Sequence, residues 1–175
     1  MRLRNFVFRL IAVDYFQIFE ITPQLSLNAA ELQRRFYSLS RKYHPDLNPD
    51  GLEKSALLND AFRTLRDPVA RAEYVVENHG LELNAKDVPP ELLEEVFEFN
   101  MALEESDQAQ LTEFGARFQA MLREIDADLE NEFGAWDQAR TQDVLTRVRS
   151  LLNRRKYIAN LVRTINQASN GHLSN

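Results

Sequence analysis

The chain has 175 residues, 44% of them hydrophobic, with no cysteine and with 27 acids against 21 bases for a net charge of −6. That length suits one ordinary domain or two small ones with a real core. Disulfides, thiol catalysis and cysteine-ligated metal are excluded, and no apolar run approaches the roughly 18 residues a membrane-spanning helix requires.

Residues 1–12, MRLRNFVFRLIA, carry three arginines and no acid. The arginines interrupt the apolar run and no small-residue cleavage site precedes Val13-Asp14-Tyr15, so the segment is expected to be an N-terminal extension leading into the first helix. A cleaved organelle-targeting segment is the alternative. Beyond it, few glycines, few alternating β-branched runs and a recurring 3.6-residue apolar period predict an all-α protein. Asp14 caps a short helix over Tyr15 to Ile21, stopped by Thr22-Pro23 because the residue before proline disfavours helical ψ. Asn28 opens a second helix with an apolar stripe of Leu32, Phe36, Leu39 and Tyr43. Arg34 and Arg41 stand on its other face, with Arg35 and Lys42 at the flank.

His44, Pro45 and Asp46 follow where that helix can no longer continue. A third helix is expected from about Lys54, burying Leu58, Ala61, Phe62 and Leu65. Asp67-Pro68 restarts it to about Glu77, and His79-Gly80 ends it. The polar run 81–90, closing on Val88-Pro89-Pro90, reads as a linker between a first domain over 13–80 and a second over 91–168. The second is expected to be a three-helix bundle with helices at about 91–105, 108–133 and 140–168, and 169–175 to be a fraying tail. The middle helix carries Leu111, Phe114, Phe118, Met121, Leu122, Ile125, Leu129 and Phe133. The last carries Val144, Val148, Leu151, Ile158, Val162 and Ile165, with Arg155 breaking the stripe and expected to pair with an acid or reach out to solvent.

Charge is distributed unevenly along the chain. Residues 91–107 hold seven acids and no base, whereas the second and the last helices are basic. In the acidic helix, Leu92, Val96, Phe99 and Leu103 make an ordinary core face. Leu93, Phe97 and Met101 form a second stripe roughly 130° away at 100° per residue, bordered by Glu94, Glu98, Glu104 and Glu105. An apolar strip with an acidic rim suits either a partner or packing against the first domain.

His44 and Asp46 have the types of a base and its orienter, but no nucleophile elbow or oxyanion cluster accompanies them, and His79 and His172 offer no evident metal set. Alone, the triplet would read as a stiff turn. It is not alone. Asp14-Tyr15-Phe16, Arg41-Lys42-Tyr43, His44-Pro45-Asp46, Asn59-Asp60-Ala61-Phe62, Leu65 and Asp67-Pro68-Val69-Ala70-Arg71-Ala72-Glu73-Tyr74 together resemble a J-domain, in which the triplet joins two antiparallel helices. With His79-Gly80, no Gly/Phe-rich linker, no zinc module, and Phe97-Glu98-Phe99-Asn100 and Lys156-Tyr157-Ile158 further on, the whole chain resembles the HscB-type co-chaperones of iron-sulfur cluster assembly. The upstream residues 1–12 depart from the usual bacterial start.

That resemblance implies a non-enzymatic co-chaperone with no cofactor and two partners, an HscA/DnaK-class ATPase chaperone and an IscU-type scaffold. His44, Pro45 and Asp46 would stimulate the ATPase, and Arg34, Arg35, Arg41 and Lys42 would steer it. Leu93, Phe97, Glu98, Met101, Glu105 and Tyr157 would bind the scaffold. Delivery of a different client, such as a misfolded chain, is the alternative function. No nucleic-acid or membrane partner is expected. The absence of an N-terminal tetracysteine element favours the bacterial cytoplasm over the mitochondrial matrix.

Overall fold

The computed structural model describes residues 14–44, 51–84 and 89–172, with side chains described through residue 168. The N-terminal extension 1–12, Pro45 and Asp46, and part of the expected linker lie outside the described residues. All regular structure among the described residues is helical: α1 (Tyr15–Ile18), α2 (Ala29–Lys42), α3 (Gly51–Arg66), α4 (Pro68–Asn78), a 3-10 turn at Pro90–Leu92, α5 (Leu93–Glu104), α6 (Gln108–Ala139) and α7 (Gln142–His172). The chain divides into two compact units, residues 1–74 and 75–175, with the division inside α4 after Tyr74.

In the first unit the helix starts follow local chemistry. Asp14 accepts a hydrogen bond from the Phe16 amide, and Asn28 Oδ1 accepts from the amides of Ala30 and Glu31 at 3.0 and 3.1 Å. Asp67 Oδ1 accepts from the Ala70 amide at 2.8 Å, with Pro68 in the first helical position. α1 ends earlier than expected and for a different reason. Glu20 takes φ 54°, and the amides of Glu20 and Ile21 fold back onto the carbonyls of Gln17 and Phe16. Thr22-Pro23 is not what stops it. α3 begins at Gly51 rather than Lys54, with Glu53 complementing the positive end of the helix and Ser55 Oγ donating to the Tyr43 carbonyl at 2.8 Å.

The core of this unit is Phe16, Phe19, Leu25, Leu32, Leu58, Ala61, Leu65 and Ala72. Of the expected α2 stripe only Leu32 is fully buried, Phe36, Leu39 and Tyr43 being half-buried. The rings of Phe36 and Phe62 nevertheless stack with centroids 4.1 Å apart, which joins α2 to α3. Tyr15 stacks on Tyr74 at 4.7 Å, and its amide donates to the Tyr74 hydroxyl at 3.0 Å.

The second unit is built on the α6–α7 hairpin, with α5 packed on α6. Gly80, at φ 78°, ends α4 as the sequence suggests. Asp107 caps α6 through the amides of Ala109 and Gln110, both at 3.0 Å. α6 does not stop at Phe133. It runs to Ala139, because the interior Gly134 costs only about 1 kcal/mol, less than the burial of Trp136 two residues later returns. Arg140 then takes φ 54°, its guanidinium 4.1 Å from the Trp136 ring centroid.

In α7 the buried residues include Leu145 and Leu152, while the expected Leu151 and Val162 are half-buried. The expected Val144, Val148, Ile158 and Ile165 are buried, so the shift from Leu151 to Leu152 is local and leaves the rest of the stripe where the period put it. Arg155 pairs bidentately with Asp126. Helical backbone continues through His172, into the segment expected to fray.

Candidate partner-binding surfaces

The first surface is the exposed side of α2 and the chain that leaves it. Arg34, Arg41, Lys42 and His44 are all exposed, and Arg41 and Lys42 occupy the last turn, where the helix carbonyls favour positive charge. Lys42 Nζ lies 5.5 Å from the Tyr43 ring centroid. Arg35 behaves differently from its neighbours. Its Nη1 donates to the carbonyls of Phe19 and Glu20 at 3.0 and 3.1 Å, and its Nε and Nη2 donate to Glu31 Oε1. Such an arginine satisfies the end of α1, so most of its donor capacity is spent within the unit. Pro45 and Asp46 lie outside the described residues, so of the triplet the structure places His44 alone.

Arg71 supplies a support that the sequence did not reveal. It is the buried charged side chain of this unit's core, its Nε and Nη2 donating to the Leu25 carbonyl at 3.0 and 2.7 Å and its Nη1 to the Leu65 carbonyl. It thereby binds the α1–α2 connection to the end of α3. Only the Arg71-Ala72-Glu73-Tyr74 string hinted at it, and a string gives no burial.

The second surface is on α5. Leu92, Val96, Phe99 and Ala102 are buried, with Leu103 only half-buried, so the core face is centred slightly off the expected line. Phe99 meets Phe114 and Phe118 edge-on at 5.8 and 5.6 Å, and Arg117 bridges Glu95 and Glu113 at 3.1 and 3.0 Å. The hydrogen bond that Arg117 donates to Glu95, then the one it donates to Glu113, raises its pKa further, so this clamp stays charged.

With α5 so oriented, Leu93, Phe97 and Met101 stand out at 57%, 66% and 46% exposure, three of the few large apolar side chains so placed. Glu94, Glu98, Glu104 and Glu105 are exposed around them, and Glu105 also closes α5 through its amide on the Met101 carbonyl. Tyr157 lies on α7, half-buried, and burial pushes its hydroxyl pKa up. Three residues before it, Arg154 Nε is 3.6 Å from Glu91 Oε1, an ion pair between α7 and the turn that leads into α5. Among the described residues no group of three or more His, Cys, Asp or Glu side chains is placed to hold a metal, and no helix is long and apolar enough to cross a membrane.

Comparison with known proteins agrees with both halves of this arrangement. Residues 14–74 match the DnaJ domain, and residues 88–166 match the HSCB C-terminal oligomerisation domain. A co-chaperone protein HscB homolog of Vibrio vulnificus is 33% identical over 167 residues, covering 85% of this chain and 92% of the relative. The human iron-sulfur cluster co-chaperone protein HscB is 29% identical over 152 residues, covering 80% of this chain and 65% of that protein. Among solved structures, the chaperone HscB of Vibrio cholerae superposes with a TM-score of 0.65 at 27% identity over 91% of this chain and 99% of its own. The human HscB crystal structure gives 0.69 at 25% identity over 91% and 83%. The DnaJ match, the HSCB C-terminal match that follows it, and a relative 33% identical over most of both chains place this chain in the HscB co-chaperone family.

Proposed function

We propose that the chain stimulates the ATPase of an HscA/DnaK-class chaperone through the His44-Pro45-Asp46 triplet and α2, and presents to it an IscU-type scaffold held on α5. The observation that carries the scaffold half is the exposure of Leu93, Phe97 and Met101 inside a ring of glutamates, on a helix whose opposite face is already buried. Glu98 and Glu105 on the rim, with Tyr157 on α7, complete the proposed scaffold surface. The ATPase half is supported by the DnaJ match over 14–74 and by the exposed cations of Arg34, Arg41 and Lys42 next to His44. Complementary charge of this kind acts mainly on association rate and on choice of partner. Arg35 serves this site by fixing α1 against α2, which presents its neighbours.

The chain itself performs no chemistry in this reading; the hydrolysis is the partner's. The bacterial cytoplasm is the proposed compartment, supported by the likeness to bacterial relatives. His44→Gln tests the reading at its centre. The variant should retain the parent's helical content and thermal transition, because His44 is exposed outside the helices, and should lose stimulation of a DnaK-class ATPase measured in single turnover. A folded His44→Gln protein that stimulates as well as its parent would falsify the proposal.

A further inference from the structure

Between Arg34 and Arg41, on the same face of α2, stands Tyr37, with 55% of its surface exposed. A tyrosine so open, on a helix whose apolar face is elsewhere, contributes little to the core. Its orientation is nonetheless fixed. Gln33 Nε2 donates to the Tyr37 hydroxyl at 3.2 Å, and the ring meets Phe36 at 5.8 Å between centroids. The Gln33 bond has a chemical consequence. It occupies the phenol oxygen as acceptor, so the hydroxyl proton is left to donate outward. An outward O–H donor flanked three residues before and four residues after by guanidinium groups calls for a carboxylate-bearing surface, and its ring adds a rigid apolar contact of the kind that anchors interfaces.

We infer that Tyr37 is an affinity-determining contact for the ATPase chaperone, its hydroxyl donating to a carboxylate of the chaperone that lies between the groups met by Arg34 and Arg41. The contact rests on the co-chaperone reading above and extends it to a residue that carries no charge. Tyr37 positions the partner and leaves the stimulation step to the His44-Pro45-Asp46 triplet.

The test is a titration of single-turnover ATPase stimulation of the DnaK-class chaperone with the full chain. Tyr37→Phe should raise the half-saturating concentration about threefold to tenfold, the range one hydrogen bond contributes. Its maximal stimulation and thermal transition should equal the parent's. Tyr37→Ala should raise it further, and Arg34→Ala should flatten its salt dependence where Tyr37→Phe leaves that slope unchanged. Parent-like titrations by both Tyr37 variants would overturn the contact alone, as would a lowered maximum accompanied by a lowered thermal transition, which marks a structural role. A parent chain that fails to stimulate overturns the co-chaperone reading and this contact with it.

Discussion

Arg71 shows how a single buried charge can organise a small helical unit. A guanidinium out of water is costly unless its donors are met, and here backbone carbonyls of Leu25 and Leu65 meet them. The Leu65 carbonyl belongs to the last turn of α3, where the helix dipole also favours a cation. Arg71→Met keeps much of the stem but leaves two buried carbonyls without this donor. We expect it to lower unfolding stability by about 2–4 kcal/mol, read as a shifted urea midpoint with an unchanged slope. A shift below about 0.5 kcal/mol would show that water replaces the guanidinium without penalty. Arg35 and Arg71 look alike in a sequence and differ in what they face. Arg35 closes α1 at the edge of the unit, and Arg71 is 95% removed from solvent in its core.

At the scale of the elements, the ends of the helices carry most of the difference between expectation and structure. Glu20, Ser106 and Arg140 all take positive φ without being glycine, and each stands where a helix finishes. A left-handed residue with a Cβ costs roughly 1 kcal/mol, which the capping bonds and the packing beyond it offset. Gly134 is the converse, a glycine inside α6 where an added Cβ would meet nothing within 4 Å. Two opposite substitutions follow. Gly134→Ala should stabilise the protein by about 0.5–1 kcal/mol, since the backbone is already helical and the space is open. Ser106→Gly should also stabilise it by up to about 1 kcal/mol by relieving the positive φ. Thermal melts of the two single variants and their combination check both, and a destabilising Gly134→Ala would mean that α6 ends before Gly134 in solution.

For the whole molecule, the proposed function gives the two units separable tasks, and the strip on α5 is where that separation can be measured. Leu93, Phe97 and Met101 are exposed, so replacing all three with alanine removes little from the core of their unit. Surface changes of this kind usually move stability by no more than about 0.5 kcal/mol each. The same triple variant should weaken binding of the IscU-type scaffold by well over tenfold, about 1.4 kcal/mol or more, in calorimetric titration. Stimulation of the ATPase without scaffold should persist, because His44 and the basic face of α2 belong to the other unit. Unchanged scaffold affinity in the folded triple variant would remove the strip from the partner-binding surface.

The sequence by itself determined the helical class, the caps at Asp14, Asn28 and Asp67, the stop at Gly80, and the resemblance that the family matches bear out. These are short-range matters. A side-chain oxygen two or three residues from an amide, a proline's fixed φ or a glycine's freedom acts within one turn, wherever the rest of the chain goes. The two stripes on α5 were legible for a similar reason, since helical period alone separates Leu92, Val96 and Phe99 from Leu93, Phe97 and Met101. Tertiary structure supplied what covers the first of them, because α6 offers Phe114 and Phe118 to Phe99. It also decided that α6 runs through Gly134 to bury Trp136, that Leu152 rather than Leu151 is fully buried, and that Arg155 finds Asp126. It drew Arg35 into the end of α1 and Arg71 into the core. In each case the deciding partner lies many residues away, and burial or pairing at that distance depends on how helices pack, a quantity that no local pattern contains.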